Sequence, residues 1–137
     1  ANVEMAVAVG KDNIYIFGLT ASDVDELGRR GYSSIDYYRT SERIRRVMDM
    51  ISRGFNGNDF SGIVNYFISS PNISDPYMCL ADFDSYFNTY SGAVSDYADR
   101  KGWTVKSLKN IAGAGYFASD RSIKEYAENI WHIKPVE

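Results

Sequence analysis

Ala112-Gly113-Ala114-Gly115-Tyr116-Phe117-Ala118-Ser119-Asp120-Arg121-Ser122-Ile123-Lys124-Glu125-Tyr126-Ala127-Glu128-Asn129-Ile130-Trp131 predicts a helix closing on glycine, an aromatic turn and a second, capped helix. Gly115 suits the left-handed residue that ends many helices. Ser119 or Asp120 can accept the free amide hydrogens of the following helix, and Ser122 with Glu125 offers a second capping pair. Ile123, Tyr126, Ala127 and Ile130 recur at three- and four-residue steps, the stripe of a helix that buries one face.

The same signals recur upstream. Residues 84–97 and 103–113 read as two helices broken around 99–102, and residues 63–68 as another that ends before Pro71. Thr40-Ser41 caps a helix whose Ile44, Val47, Met48 and Ile51 form a clear apolar stripe, stopped by Gly54. Thr20 with Asp23 is a capping pair for a helix through Leu27, which stops before Gly31. Asn2 caps a first short helix ended by Gly10. Against about seven helices stands one strand, Asn13-Ile14-Tyr15-Ile16-Phe17, ended by Gly18. Tyr77-Met78-Cys79-Leu80 suits a strand or a helix start, with a lean to strand, and Asp75-Pro76 before it is turn punctuation. A lone strand leaves backbone groups without partners. Its neighbour must therefore be Tyr77–Leu80, another copy, or sequence outside these residues.

The 137 residues suffice for one domain with a core. The net charge of −3 offers no electrostatic reason to expect nucleic acid or an anionic membrane as partner. Seven Phe, eleven Tyr and two Trp argue against disorder. A single cysteine, Cys79, precludes an intrachain disulfide and fits a reducing, cytoplasmic compartment. No apolar run reaches membrane-spanning length. A start at Ala1 without methionine reads as that of a processed, engineered or partial chain.

No group of residues composes an active site. One Cys and one His, at positions 79 and 132, cannot supply a zinc site, and nothing local supports them as a catalytic pair. Gly113-Ala114-Gly115 lies between helices, so it lacks the strand before it that a phosphate cradle needs. Arg39, Arg43, Arg45 and Arg46 can hold an anion, but Glu42 and Asp49 stand at helical neighbour spacing, and a solvated face results. Asp82 with Asp84, and Asp23 with Asp25 and Glu26, are close in sequence only; they suit helix N-termini better than acid–base catalysis. Tyr37, Tyr38, Tyr86, Tyr90 and Tyr97 can stack on sugars, though packing is their commoner use. The expectation is no catalytic, cofactor-binding or metal residue.

Five ordered blocks resemble the carboxyl-terminal part of α-glucan phosphorylases of the glycogen, starch and maltodextrin type. Ala1-Asn2-Val3-Glu4 with Asn13–Gly18 is the first, and Arg30-Gly31-Tyr32 before Tyr37-Tyr38 the second. Asp75-Pro76-Tyr77 with Leu80-Ala81-Asp82-Phe83 and Tyr86 follows, then Trp103-Thr104 with Asn110-Ile111-Ala112. Ser119-Asp120-Arg121, Glu125-Tyr126-Ala127, Ile130-Trp131 and Lys134-Pro135 complete the series. Tyr116 and Ala118 stand where the family usually has Lys and Ser, and Val7-Ala8 replaces a commonly acidic pair.

The resemblance implies an α/β, helix-rich fold, with residues 1–137 a single partial domain. That domain is the distal part of the carboxyl-terminal Rossmann-like lobe of a two-lobed glycosyltransferase of the GT-B type. It implies reversible phosphorolysis of α-1,4-glucan to glucose 1-phosphate, with pyridoxal phosphate on a lysine of the complete enzyme. That lysine's block lies upstream of Ala1 in the family, so none of Lys11, Lys101, Lys106, Lys109, Lys124 and Lys134 inherits the role. The segment alone is then expected to be inert and structural, to bind no cofactor, and to self-associate through faces built to meet the remaining phosphorylase chain. A stand-alone interaction or carbohydrate-binding module derived from a phosphorylase tail is the alternative.

Overall fold

The computed structural model describes residues 2–71 and 73–134. Its α-helices are α1 (Asn2–Val9), α2 (Ala21–Arg30), α3 (Ser34–Thr40), α4 (Glu42–Ser52), α5 (Ser61–Ile68), α6 (Cys79–Asp96), α7 (Arg100–Gly113) and α8 (Ser119–Tyr126). Short 3-10 turns at Lys11–Asn13 and Ala114–Phe117 and a π-helical turn at Ala127–Trp131 complete the order. The chain divides into two compact units, one of residues up to Ile16 with those from Ser91, the other Phe17–Tyr90.

In the Phe17–Tyr90 unit the capping chemistry places the helices. Thr20 and Asp23 form the reciprocal capping box of α2, and Gly31, left-handed at φ 85°, ends it. The Ser41 hydroxyl accepts from the Ile44 N–H and starts α4. The stripe of α4 then buries Ile44 and Met48 against Leu80 of α6, with Tyr37, Tyr38, Val64, Phe67, Ile68 and Phe83 packed around them. That trio is a small core.

In the other unit α1 packs on α7. A Cβ at Gly113 would lie 2.7 Å from Val9 Cγ1, so the glycine serves close helix approach. Gly115 is not left-handed; α7 instead tightens into the Ala114–Phe117 turn. Neither Ser119 nor Asp120 caps α8, because both lie inside its first turn and Ala118 takes the cap position. Arg121 holds this corner, donating to the Tyr116 carbonyl, pairing with Glu125 and lying 3.9 Å over the Tyr116 ring.

The fold is helix-rich, and two expected strands do not form among the described residues. Asn13 belongs to a 3-10 turn, and Ile14 is extended (φ −135°, ψ 145°) without a ladder, having no second extended segment to pair with. Tyr77–Leu80 instead holds a left-handed Met78 (φ 54°) and the first residues of α6. The stripe of α8 is not buried either: Ile123, Tyr126, Ile130 and Trp131 are all about half exposed.

Candidate functional site

The polar centre of the Phe17–Tyr90 unit is Asp75, which is fully buried. Its backbone is left-handed (φ 50°), a conformation Asp tolerates better than most residues. This aims the carboxylate at the start of α6. Oδ1 accepts from the Cys79 N–H at 2.9 Å, and Oδ2 from the Leu80 N–H at 2.8 Å and the Tyr32 hydroxyl at 2.6 Å. The Asp75 N–H donates to the Tyr66 carbonyl at 3.2 Å. One side chain thus caps α6 and ties it to the loop after α2.

Burial, and then the bond to Asp75, push the Tyr32 phenol far above its ordinary range, so it remains a donor. Burial, reinforced by the Asp75 charge, also raises the Cys79 thiol, which disfavours a nucleophilic thiolate. An open cleft of about 630 Å³ lies beside Tyr32 and Asp75. Its acid and its phenol are bonded to each other, which suits architecture better than turnover.

The other acidic candidates are likewise engaged. Asp82 Oδ1 accepts from the Leu19 N–H at 2.7 Å, while Ser85 Oγ accepts from the Gly18 N–H at 3.0 Å. Gly18 is left-handed at φ 94°, and a Cβ there would stand 2.8 Å from Asp82 Oδ2. Asp84 pairs with Arg43 at 2.7 Å. Asp23 is held below its ordinary range by hydrogen bonds from the Thr20 hydroxyl and N–H. These carboxylates do not converge.

The arginine cluster finds different partners from those the spacing predicts. Arg43 reaches Asp84 and lies 3.9 Å over Phe87, and Arg39 meets Asp36 at 3.8 Å. Asp49 accepts instead from the Tyr38 hydroxyl at 2.7 Å, a bond that raises the Tyr38 phenol. Arg43 and Arg46 line an exposed groove of α4 with Glu42, Val47 and Met50.

In the other unit Tyr15 donates to Asp96 at 2.8 Å, and Lys106 pairs with the same oxygen at 3.1 Å. Tyr15 stacks on Trp103, which meets the edge of Tyr97. Asn110 donates to the Asn13 carbonyl at 2.7 Å. His132 contacts the Glu128 carbonyl through Nδ1, in a separate unit from Cys79. Tyr37 packs on Tyr32, and Tyr86 on Phe17 and Tyr90. No group of metal-ligating side chains occurs among the described residues.

The pins at Asp75, Asp82, Trp103, Asn110 and Arg121 stand in the blocks that carry the phosphorylase resemblance. The family model for carbohydrate phosphorylase matches residues 1–133. The chain belongs to the carbohydrate phosphorylase family.

Among its phosphorylase relatives is the glycogen phosphorylase of Pasteurella multocida, 41% identical over 137 residues, which cover 100% of this chain and 17% of that protein. The Bacillus subtilis glycogen phosphorylase is 42% identical, with 99% of this chain and 17% of that protein covered. The human liver form is 37% identical, with 98% and 16% covered. The chain thus spans about a sixth of the length of these phosphorylases.

Proposed function

We propose that these 137 residues are one partial domain: the carboxyl-terminal part of the cofactor-binding lobe of an α-glucan phosphorylase. The parent enzyme would carry out reversible phosphorolysis of α-1,4-glucan to glucose 1-phosphate in the cytoplasm. This segment would supply structure and no catalytic residue. The observation that carries the reading is similarity along the whole chain to proteins named glycogen phosphorylase, combined with polar groups spent on caps and pins. No helix among the described residues is long and apolar enough to cross a membrane.

The lysines present do not fit the pyridoxal phosphate that the family implies. A Schiff-base lysine needs an ammonium that deprotonates readily. Lys106, half-buried, is hydrogen-bonded to Asp96 and to Tyr15, and these contacts raise its pKa. Lys11, Lys101, Lys109, Lys124 and Lys134 are exposed. No step of the reaction is assigned to this chain.

Two measurements test the reading. The 137-residue chain, incubated with pyridoxal phosphate and borohydride, should acquire no reduced lysine adduct above that of unfolded chain; a stoichiometric adduct at one lysine refutes it. The longest natural product containing this sequence should release glucose 1-phosphate from maltodextrin and phosphate, and a product without that activity refutes the assignment.

A further inference from the structure

The short loop before α5 turns on Asn56-Gly57. Phe55 and Asn58 pair across it: the Asn58 N–H donates to the Phe55 carbonyl at 2.9 Å, and the Phe55 N–H to the Asn58 carbonyl at 3.2 Å. Asn56 and Gly57 lie between them, left-handed at φ 50° and φ 78°. Asn-Gly is the pair that a mirror-image hairpin turn favours. Residues 55–59 are exposed. Neither the Gly57 N–H nor the Asn56 carboxamide has a hydrogen-bond partner among the described residues.

That combination is reactive. An asparagine Cγ is open to attack by the amide nitrogen of the next residue, and a side chain on that residue obstructs the approach. Asn56 is the only asparagine in the sequence that precedes glycine; each of the others precedes a residue with a side chain. Asn65, Asn88 and Asn110 also lie within α5, α6 and α7, where the helical ladder engages the next nitrogen. Asn13 and Asn110 commit their carboxamides to the Val9 and Lys106 carbonyls. A Cβ at Gly57 would meet nothing within 4 Å, so the turn is open on that side as well.

We propose that Asn56 is a site of spontaneous deamidation in the folded protein. Hydroxide takes the proton from the Gly57 N–H, and the nitrogen attacks Asn56 Cγ. The N–Cγ bond forms, the Cγ–Nδ2 bond breaks, and the side-chain nitrogen takes a proton from water and leaves as ammonia. Water then opens the cyclic imide at either carbonyl. Opening at Cγ gives aspartate, and opening at the main-chain carbonyl gives isoaspartate, whose backbone runs through Cβ. Aspartate keeps the turn, because it tolerates the left-handed conformation as asparagine does. Isoaspartate lengthens the turn by one backbone atom, so Phe55 and Asn58 no longer stand opposite each other. Either product places a new negative charge at residue 56. The mark is a record of age and is independent of the parent's catalytic activity.

Peptide mapping by mass spectrometry tests this on the longest natural product containing the sequence, kept folded in warm, mildly alkaline buffer made with heavy-oxygen water. Asn56 should convert at least about tenfold faster than any other asparagine, a difference of about 1.4 kcal/mol in barrier. The converted peptide should carry heavy oxygen at residue 56 and separate into aspartate and isoaspartate forms. Gly57→Ala, with its folding checked by circular dichroism, should slow the conversion at least about tenfold. An intact Asn56, or one converting no faster than the other asparagines, overturns the proposal. Aspartate without isoaspartate means direct hydrolysis and overturns it too, as does a rate that Gly57→Ala leaves unchanged. Conversion confined to urea-unfolded protein shows that the folded chain shields Asn56, which equally refutes the site.

Discussion

Replacing Asp75 by glycine removes one buried carboxylate without disturbing the backbone, since glycine accepts φ 50° freely. Three donors lose their acceptor: the Cys79 and Leu80 N–H groups and the Tyr32 hydroxyl. Loss of a helix N-cap costs about 1 kcal/mol, and loss of a hydrogen bond to a charged group about 1.5–3 kcal/mol. The contributions share one side chain and do not add fully, so about 3 kcal/mol is expected. Asp75→Ala should cost about 1 kcal/mol more, because an alanine at positive φ is strained. Asp75→Asn keeps the backbone preference and one acceptor, and should fall below both. The core of this unit rests on Ile44, Met48 and Leu80. A loss of about 3 kcal/mol is large against a domain stability of roughly 5–15 kcal/mol. Urea unfolding followed by far-ultraviolet circular dichroism reads the midpoint, and hydrogen exchange at the Leu80 amide reads the local effect. An Asp75→Gly midpoint equivalent to under about 1 kcal/mol, with Leu80 exchange unchanged, would refute the reasoning.

Further outcomes follow from the same contacts. Tyr32 has a raised folded pKa, so its stabilising contribution is intact below about pH 10 and declines as pH climbs above that; Tyr32→Phe should flatten the alkaline fall in a pH-dependent denaturation series. At Gly54 (φ 73°) a Cβ would stand 2.2 Å from the Asn58 carbonyl oxygen, whereas at Gly31 (φ 85°) it meets nothing within 4 Å. Gly31→Ala should cost about 1–2 kcal/mol and Gly54→Ala clearly more; equal melting points would contradict this. Ile123→Glu and Ile130→Glu alter exposed residues and should shift the isolated chain by less than about 0.5 kcal/mol. If the α8 stripe drives self-association, light scattering of the same variants should show smaller particles than the parent chain; a strict monomer in all three counts against that.

Local chemistry made much of the fold legible. Thr20 with Asp23, Ser41 before the Ile44–Met48 stripe, and the glycines at 31 and 54 mark helix ends wherever they occur, because caps act over three or four residues. The phosphorylase kinship was legible in the same way, through short blocks of residue identity. The candidate site was not, because its pairs join distant positions. Nothing near Asp75 announces Tyr32, nothing near Asp96 announces Tyr15, and Arg43 bypasses its own helix for Asp84.

The glycine-to-Trp131 segment shows the division most clearly. By itself the sequence determined that residues 119–126 form a helix with an apolar stripe, since helical spacing and propensity are properties of neighbours. Only tertiary structure decided that Ala118 takes the cap, that Arg121 secures the corner, and that the stripe faces outward. The same holds for Ile14–Phe17: apolar β-formers mark a candidate strand, and Ile14 is extended, but a ladder needs a second strand. Burial and pairing are relations between segments, and an isolated pattern specifies one side of each.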